Sequence, residues 1–146
     1  MDNILLAIDG SESCSKAIPK TAELAEKLDA KVTIMTVIEN MVSKAAEVSP
    51  ATDPQEIQDT RENLHQKGRE IVSNCEEHMK NKGIETEIIV RRGKPSDLIC
   101  EEAEEGYDVV VLSDKGEGTG GIKKILLGST TERVVRHSSI SVWVVK

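Results

Sequence analysis

Aromatic side chains are nearly absent from this sequence: Tyr107 and Trp143 stand alone, and there is no Phe. A core here must be built from Val, Ile, Leu and Ala, which pack well between the layers of an α/β domain. Basic excess is missing too. The net charge of −7 disfavours nucleic acid and anionic membrane as partners, because both require a positive face. No apolar run approaches the roughly 18 residues of a membrane span. The opening MDNILLAIDG has neither the basic region nor the long apolar stretch of a signal peptide, so the expectation is a cytoplasmic protein. Cys14, Cys75 and Cys100 are odd in number and show no CxxC spacing, which reads as reduced thiols and not as a disulfide framework or zinc site. Also missing are a GxxxxGK[ST] phosphate loop, a glycine fingerprint after the first strand, and a discernible Ser-His-Asp arrangement.

What is present, over 146 residues, is alternation of strands and helices in one domain, 1–146. Asn3 to Asp9 is a short apolar run suited to a strand buried on both faces. Ser11 to Leu28 has helical spacing, capped by Ser11 or Ser13, and Pro19 implies either a kink or a later start. Lys31 to Ile38 is a β-branched second strand. Glu39 to Asp53 lacks periodicity and reads as a long loop. Pro54 to about Lys82 is a long amphipathic helix with Ile57, Leu64, Ile71, Cys75 and Met79 in its stripe. Glu85 to Arg91 alternates like a half-exposed edge strand. A short helix after Pro95 turns Leu98, Ile99 and Ala103 inward and a run of glutamates outward. Asp108 to Leu112 is a fourth, buried strand, Ser129 to Ser138 a last helix, and Ser141 to Val145 a closing strand. Such alternation implies a mostly parallel sheet with right-handed crossovers.

Ligands of parallel sheets bind beyond the carboxyl ends of strands, where strand order reverses. Two strand ends carry unusual chemistry: Asp9-Gly10-Ser11, and Ser113 running into DKGEGTGG, then IKKILL, then Gly128-Ser129-Thr130-Thr131 opening a helix. Glycines let backbone amides approach an anion, and a helix start adds unpaired N–H groups. Ser129, Thr130 and Thr131 offer hydroxyls, and Lys115, Lys123 and Lys124 local positive charge. The alternative is a flexible crossover loop with Ser129 as a plain cap. For Asp9 the alternative is a turn former that caps the first helix. His65 and His78 read as surface residues of the long helix, and His137 as a favourable contact at a helix end. Cys14 lies near the expected crevice, as a redox-sensitive thiol or a small core residue.

With ILLAIDGSE, VTIMTVIE, RRGKPSDLI, DVVVLSDKG and ILLGSTTERVVRHSSISVWVVK, the chain resembles the universal stress protein family over essentially its whole length. The resemblance implies a three-layer α/β/α domain of the adenine nucleotide alpha hydrolase-like type. Its five-stranded parallel sheet would have the order 3-2-1-4-5. It implies a homodimer through the last strand, with Val142, Trp143 and Val144 at the interface. It also implies ATP, or ADP or AMP, with Mg²⁺ or Mn²⁺ held mainly by the phosphates and weakly by Asp9. By resemblance Ala7, Ile8 and Asp9 meet the nucleoside, Val37 the adenine, and Leu112 and Ser113 the sugar and phosphate region. Gly116, Gly118, Gly128, Ser129, Thr130 and Thr131 would wrap the phosphates. The family's G-x2-G-x9-G-[ST] pattern is altered. Counting back from Gly128 puts Gly118 second and Lys115 first; counting forward puts Ser113 first and Gly116 second. Counted forward, the turn is two residues longer than the pattern and lacks its first glycine, while GSTTERVV is intact.

No general base stands beside the turn, so the expected role is a regulatory binding module in stress response with unknown protein partners. Hydrolysis would be slow at most. The alternative is an interaction module of the same fold without nucleotide. A related ligase is disfavoured because DGSES, with no paired glycines, follows the first strand.

Overall fold

A computed structural model of the chain describes residues 1–39, 53–115 and 127–146. Five strands, β1 (Asn3–Ala7), β2 (Lys31–Ile38), β3 (Thr86–Arg92), β4 (Val109–Ser113) and β5 (Ser141–Val145), form one sheet of order β3-β2-β1-β4-β5. Every pairing is parallel; Ile4, at the centre, sits opposite Val32 on one side and Val109 on the other. Among the described residues four helices connect the strands: α1 (Cys14–Leu28), α2 (Pro54–Asn81), α3 (Pro95–Ala103) and α4 (Ser129–His137). This is the expected α/β/α architecture, with its expected strand order.

Successive side chains of a strand point to opposite faces, and both faces of the central strands are covered. Ile4 and Leu6 pack with Val32 and Ile34 against α1 (Ala17, Ala22, Ala25) and α2 (Val72, Cys75, Met79). Leu5 and Ala7 pack with Met35, Val110 and Leu112 against α3 (Ile99, Ala103) and α4 (Val134). Tyr107 and Trp143 lie only at the margins of these clusters, so the interior is aliphatic as its composition requires.

Several boundaries differ from expectation. The first strand ends at Ala7, not Asp9, because Gly10 turns the chain with φ +77°, and α1 begins only at Cys14. The later start expected from Pro19 is therefore found. Pro19 lies in the second turn of a continuous helix and forfeits one backbone bond. Ser13 occupies the cap position without capping; its hydroxyl donates to Asp114 Oδ1 at 3.1 Å. Ser11 caps instead, its hydroxyl accepting from the Cys14 amide at 3.4 Å.

The stripe of α2 is also shifted. Its buried residues are Gly68, Val72, Cys75 and Met79, whereas Ile57, Leu64 and Ile71 are only half-buried, because the first half of this helix runs beside a cleft. A Cβ on Gly68 would lie 3.0 Å from Ile38 Cδ1, so the absent side chain lets α2 approach β2 closely. The glutamate run at the end of α3 is exposed except at Glu102, which is half-buried and accepts the Tyr107 hydroxyl at 2.9 Å. His78 and His137 are exposed, but His65 is half-buried. Most of the 39–53 loop and the glycine turn with Gly116 and Gly118 lie outside the described residues.

Candidate functional site: a cleft where the strand order reverses

From β1 the chain builds outward to β2 and β3, then crosses to the other side for β4 and β5. The carboxyl ends of β1 and β4 are thus flanked by connections leaving in opposite directions, and a crevice opens between them. It holds a cleft of about 580 Å³. Its floor is the strand ends: Ala7, Ile8 and Asp9 after β1, Leu112 and Ser113 of β4, and Met35 to Ile38 of β2. One wall is α2, the other α3 with the start of α4, where Gly128, Ser129, Thr130 and Thr131 line the cleft. Every site residue expected from the sequence that lies among the described residues meets at this one cleft, Val37 included. Gly116 and Gly118 are outside the described residues.

Hydrogen bonds fix the polar rim. Asp9 Oδ1 accepts the Ser11 amide at 2.9 Å, closing an Asx turn, and also accepts the Cys14 thiol at 2.9 Å. The Asp9 amide in turn donates to Cys14 Sγ at 3.4 Å, and Cys14 Sγ lies 3.6 Å from Ser113 Oγ. Asp9 is therefore a turn former and a cleft residue together, but it does not cap α1, which starts five residues on. Burial, and next the hydrogen bond to Asp9, push the Cys14 thiol up from its ordinary pKa. Cys14 is accordingly a protonated thiol that ties the end of β1 to that of β4. Cys75, by burial in the core beneath, is pushed up to about 12.

At the opposite rim, Gly128 caps α4, its amide donating to the Asp114 carbonyl at 2.7 Å while its carbonyl accepts the Glu132 amide. Ser129, Thr130 and Thr131 are the first three residues of the helix, whose amides have no partner one turn back. They offer an anion N–H groups that have no partner among the described residues, and the positive end of the helix dipole. One expectation is corrected. The Thr131 hydroxyl is not a ligand donor: it gives its proton to the Ser113 carbonyl at 2.7 Å, clamping α4 to the end of β4. The Ser113 hydroxyl likewise donates to the Lys115 carbonyl at 2.8 Å.

A sequence profile of the Universal stress protein family matches residues 1–146. The chain belongs to that family. Universal stress protein YxiE of Bacillus subtilis is 28% identical over 148 residues, covering 99% of each chain. Among solved structures, hypothetical protein MJ0577 aligns with a TM-score of 0.83 at 26% identity, over 99% of this chain and 95% of that one. UspA from Lactobacillus plantarum aligns at 0.79 with 20% identity, over 99% and 97%. Two further neighbours share the fold at a TM-score of 0.67. One is a universal stress protein in complex with cAMP (22% identity, 99% and 95% covered), the other that of Archaeoglobus fulgidus in complex with dAMP (18%, 100% and 98%).

In this universal stress protein the structure adds cleft residues that sequence reasoning did not single out. Lys67 lines the wall beside Leu64, Gly68 and Ile71, and Glu39 stands at the rim beyond β2. The signal was available for Lys67, which lies three residues after Leu64 and four before Ile71 on one helical face. None was available for Ile99 and Pro95, which arrive at the cleft only because α3 packs beneath β2 and β4.

Proposed function

We propose that this universal stress protein is a regulatory module that binds an adenine nucleotide, ATP or its di- and monophosphate, in the switch-point cleft. The observation that carries this reading is the meeting of a carboxylate turn at Asp9 with the open amides of α4 across one cleft. A nucleotide presents a sugar with paired hydroxyls at one end and anionic oxygens at the other, which suits a carboxylate facing a helix start. The complexes of two fold neighbours with cAMP and dAMP support the same ligand class. Val37, Met35 and Ile99 supply the apolar part of the cleft that a base would occupy.

Among the described residues no three of His, Cys, Asp and Glu gather to hold a metal. Mg²⁺ or Mn²⁺ would arrive with the phosphates and keep its waters, Asp9 and Glu39 being the nearest carboxylates. The role is binding, with hydrolysis slow at most, since among the described residues no general base is positioned for a phosphate held at α4. Among the described residues no helix is long and apolar enough to cross a membrane, and the reading places the protein in the cytoplasm. It further places a homodimer across the open edge of β5, where Val142, Trp143 and Val144 are half-buried.

The test is thermal. Mg-ATP at about 100 times its dissociation constant should add roughly 2.7 kcal/mol to stability, and Gly128→Val should abolish the rise in melting temperature. A full response in that variant would move the phosphates elsewhere. No response in the native chain would favour the second reading, an interaction module without nucleotide, for which the engaged Thr131 hydroxyl speaks. Light scattering should find a dimer that Trp143→Glu converts to a monomer.

A further inference from the structure

A second cleft, of about 380 Å³, lies along the first half of α2 and shares no lining residue with the switch-point cleft. Arg61, His65 and Arg69 stand along one stripe of the helix, and Arg92 reaches them from the end of β3. Gln58, Glu62 and Gln66 complete the lining. Glu62 is the one acid there, and its carboxylate accepts from Gln58 Nε2 at 3.2 Å. Three guanidinium groups therefore converge on one hollow of a chain whose net charge is −7.

Among the described residues none of the three arginines has a carboxylate within ion-pair distance, although Arg91, Arg136 and most lysines with a nearby acid do. Arg92 Nη2 donates to the Arg61 carbonyl at 3.3 Å, which holds the Arg92 side chain over the helix. Arg61 Nε is buried without any hydrogen-bond partner. A buried donor left unpaired is costly, and a cluster of like charges held together without acids is costly as well. An oxyanion in the hollow offsets the repulsion among these charges, since guanidinium forks match phosphate oxygens.

We propose that this cleft is a second anion site that takes a phosphate or diphosphate group, independent of the nucleotide reading of the switch-point cleft. The guanidinium ends of Arg61 and Arg92 donate to the oxygens, and Arg69 and His65 close the rim. The experiment follows arginine Nε–H signals by NMR while inorganic pyrophosphate, and in a parallel arm inorganic phosphate, is added to the intact protein. The Arg61 signal should shift and saturate with a dissociation constant of about 1 mM or tighter for pyrophosphate, while exposed Arg133 on α4 stays in place.

Arg61→Gln and, separately, Arg92→Gln should each weaken pyrophosphate about tenfold, the loss of one charge-assisted bond, and leave the Mg-ATP thermal shift unchanged. A tighter response to pyrophosphate than to phosphate assigns the site to a diphosphate; equal responses assign it to a single phosphoryl group. Parallel, unsaturable shifts of all arginines would overturn the proposal in favour of diffuse screening. So would pyrophosphate binding that survives both arginine variants but disappears in Gly128→Val, which would place the anion in the switch-point cleft. Should the native chain ignore Mg-ATP altogether, the Arg61 response still decides this site by itself.

Discussion

Helix α2 serves two clefts with two different kinds of surface. To the switch-point cleft it presents Leu64, Lys67, Gly68 and Ile71, a mostly apolar wall of a space whose other polar groups come from strand ends and the start of α4. To the second cleft it presents Arg61, His65 and Arg69, which are themselves the polar groups. The inner cleft is held by backbone geometry fixed in the core; the outer one rests on long side chains at the surface. Backbone donors are preorganised by the fold and are lost only when the fold shifts, whereas each guanidinium can be removed singly. Substitutions near the first should therefore couple to stability, and those at the second should not.

The largest effect tests the common support. Met79 is fully buried under both α2 faces, and Met79→Ala should cost about 2–5 kcal/mol by calorimetry or denaturant titration. Leu64→Ala, on the half-buried cleft wall, should cost clearly less, and equal losses would mean that α2 is packed evenly along its length. Next comes Gly68→Val. Even a Cβ there meets Ile38 at 3.0 Å, so the branched side chain should overpack α2 against β2 by about 1–3 kcal/mol and shrink the Mg-ATP thermal shift. Pyrophosphate binding at Arg61 should remain, because the Gly68 Cβ meets Ile38 and Val90, neither of which lines that cleft. Loss of both responses together would refute the separation of the clefts.

A smaller effect is expected at Cys14. Cys14→Ala removes a donor to Asp9 and should lower stability by about 1 kcal/mol and weaken nucleotide, while Cys14→Ser, keeping a donor, should restore most of the binding. An equal loss in both variants would show that thiol packing, not its hydrogen bond, positions Asp9. The smallest effect is ionic. Added salt should weaken pyrophosphate at the exposed arginines more than nucleotide in the inner cleft, as parallel titrations would show, since exposed charges are the better screened.

Much of the inner site was legible because strand ends are. Asp9, Ser113 and Gly128 follow short apolar runs or open a helix, and a parallel sheet delivers such residues to one edge whatever the details of packing. The role of the Thr131 hydroxyl was misread, because Ser, Thr and backbone amides at a helix start all look like donors in sequence. Only the position of the Ser113 carbonyl shows which hydroxyl is already engaged. The α2 stripe was shifted toward Leu64 and Ile71 because an apolar residue beside a cleft and one in a core have the same spacing. Gly68 leaves no mark in the apolar periodicity, although a Cβ there would meet Ile38 at 3.0 Å.

By itself the sequence determined an aliphatic, alternating chain. Its short apolar runs can be satisfied only inside a parallel sheet covered on both faces, and its strand ends carry the groups for an anionic ligand. The tertiary structure alone decided which side chains are engaged and which stand open. Cys14 is bound to Asp9, and Thr131 to Ser113. Arg61 is gathered with Arg92 from a strand 31 residues away and left with an unpaired donor. The reason is physical: periodicity records which face of an element is buried, but a hydrogen bond or a convergence of charges depends on distances between elements far apart in the chain.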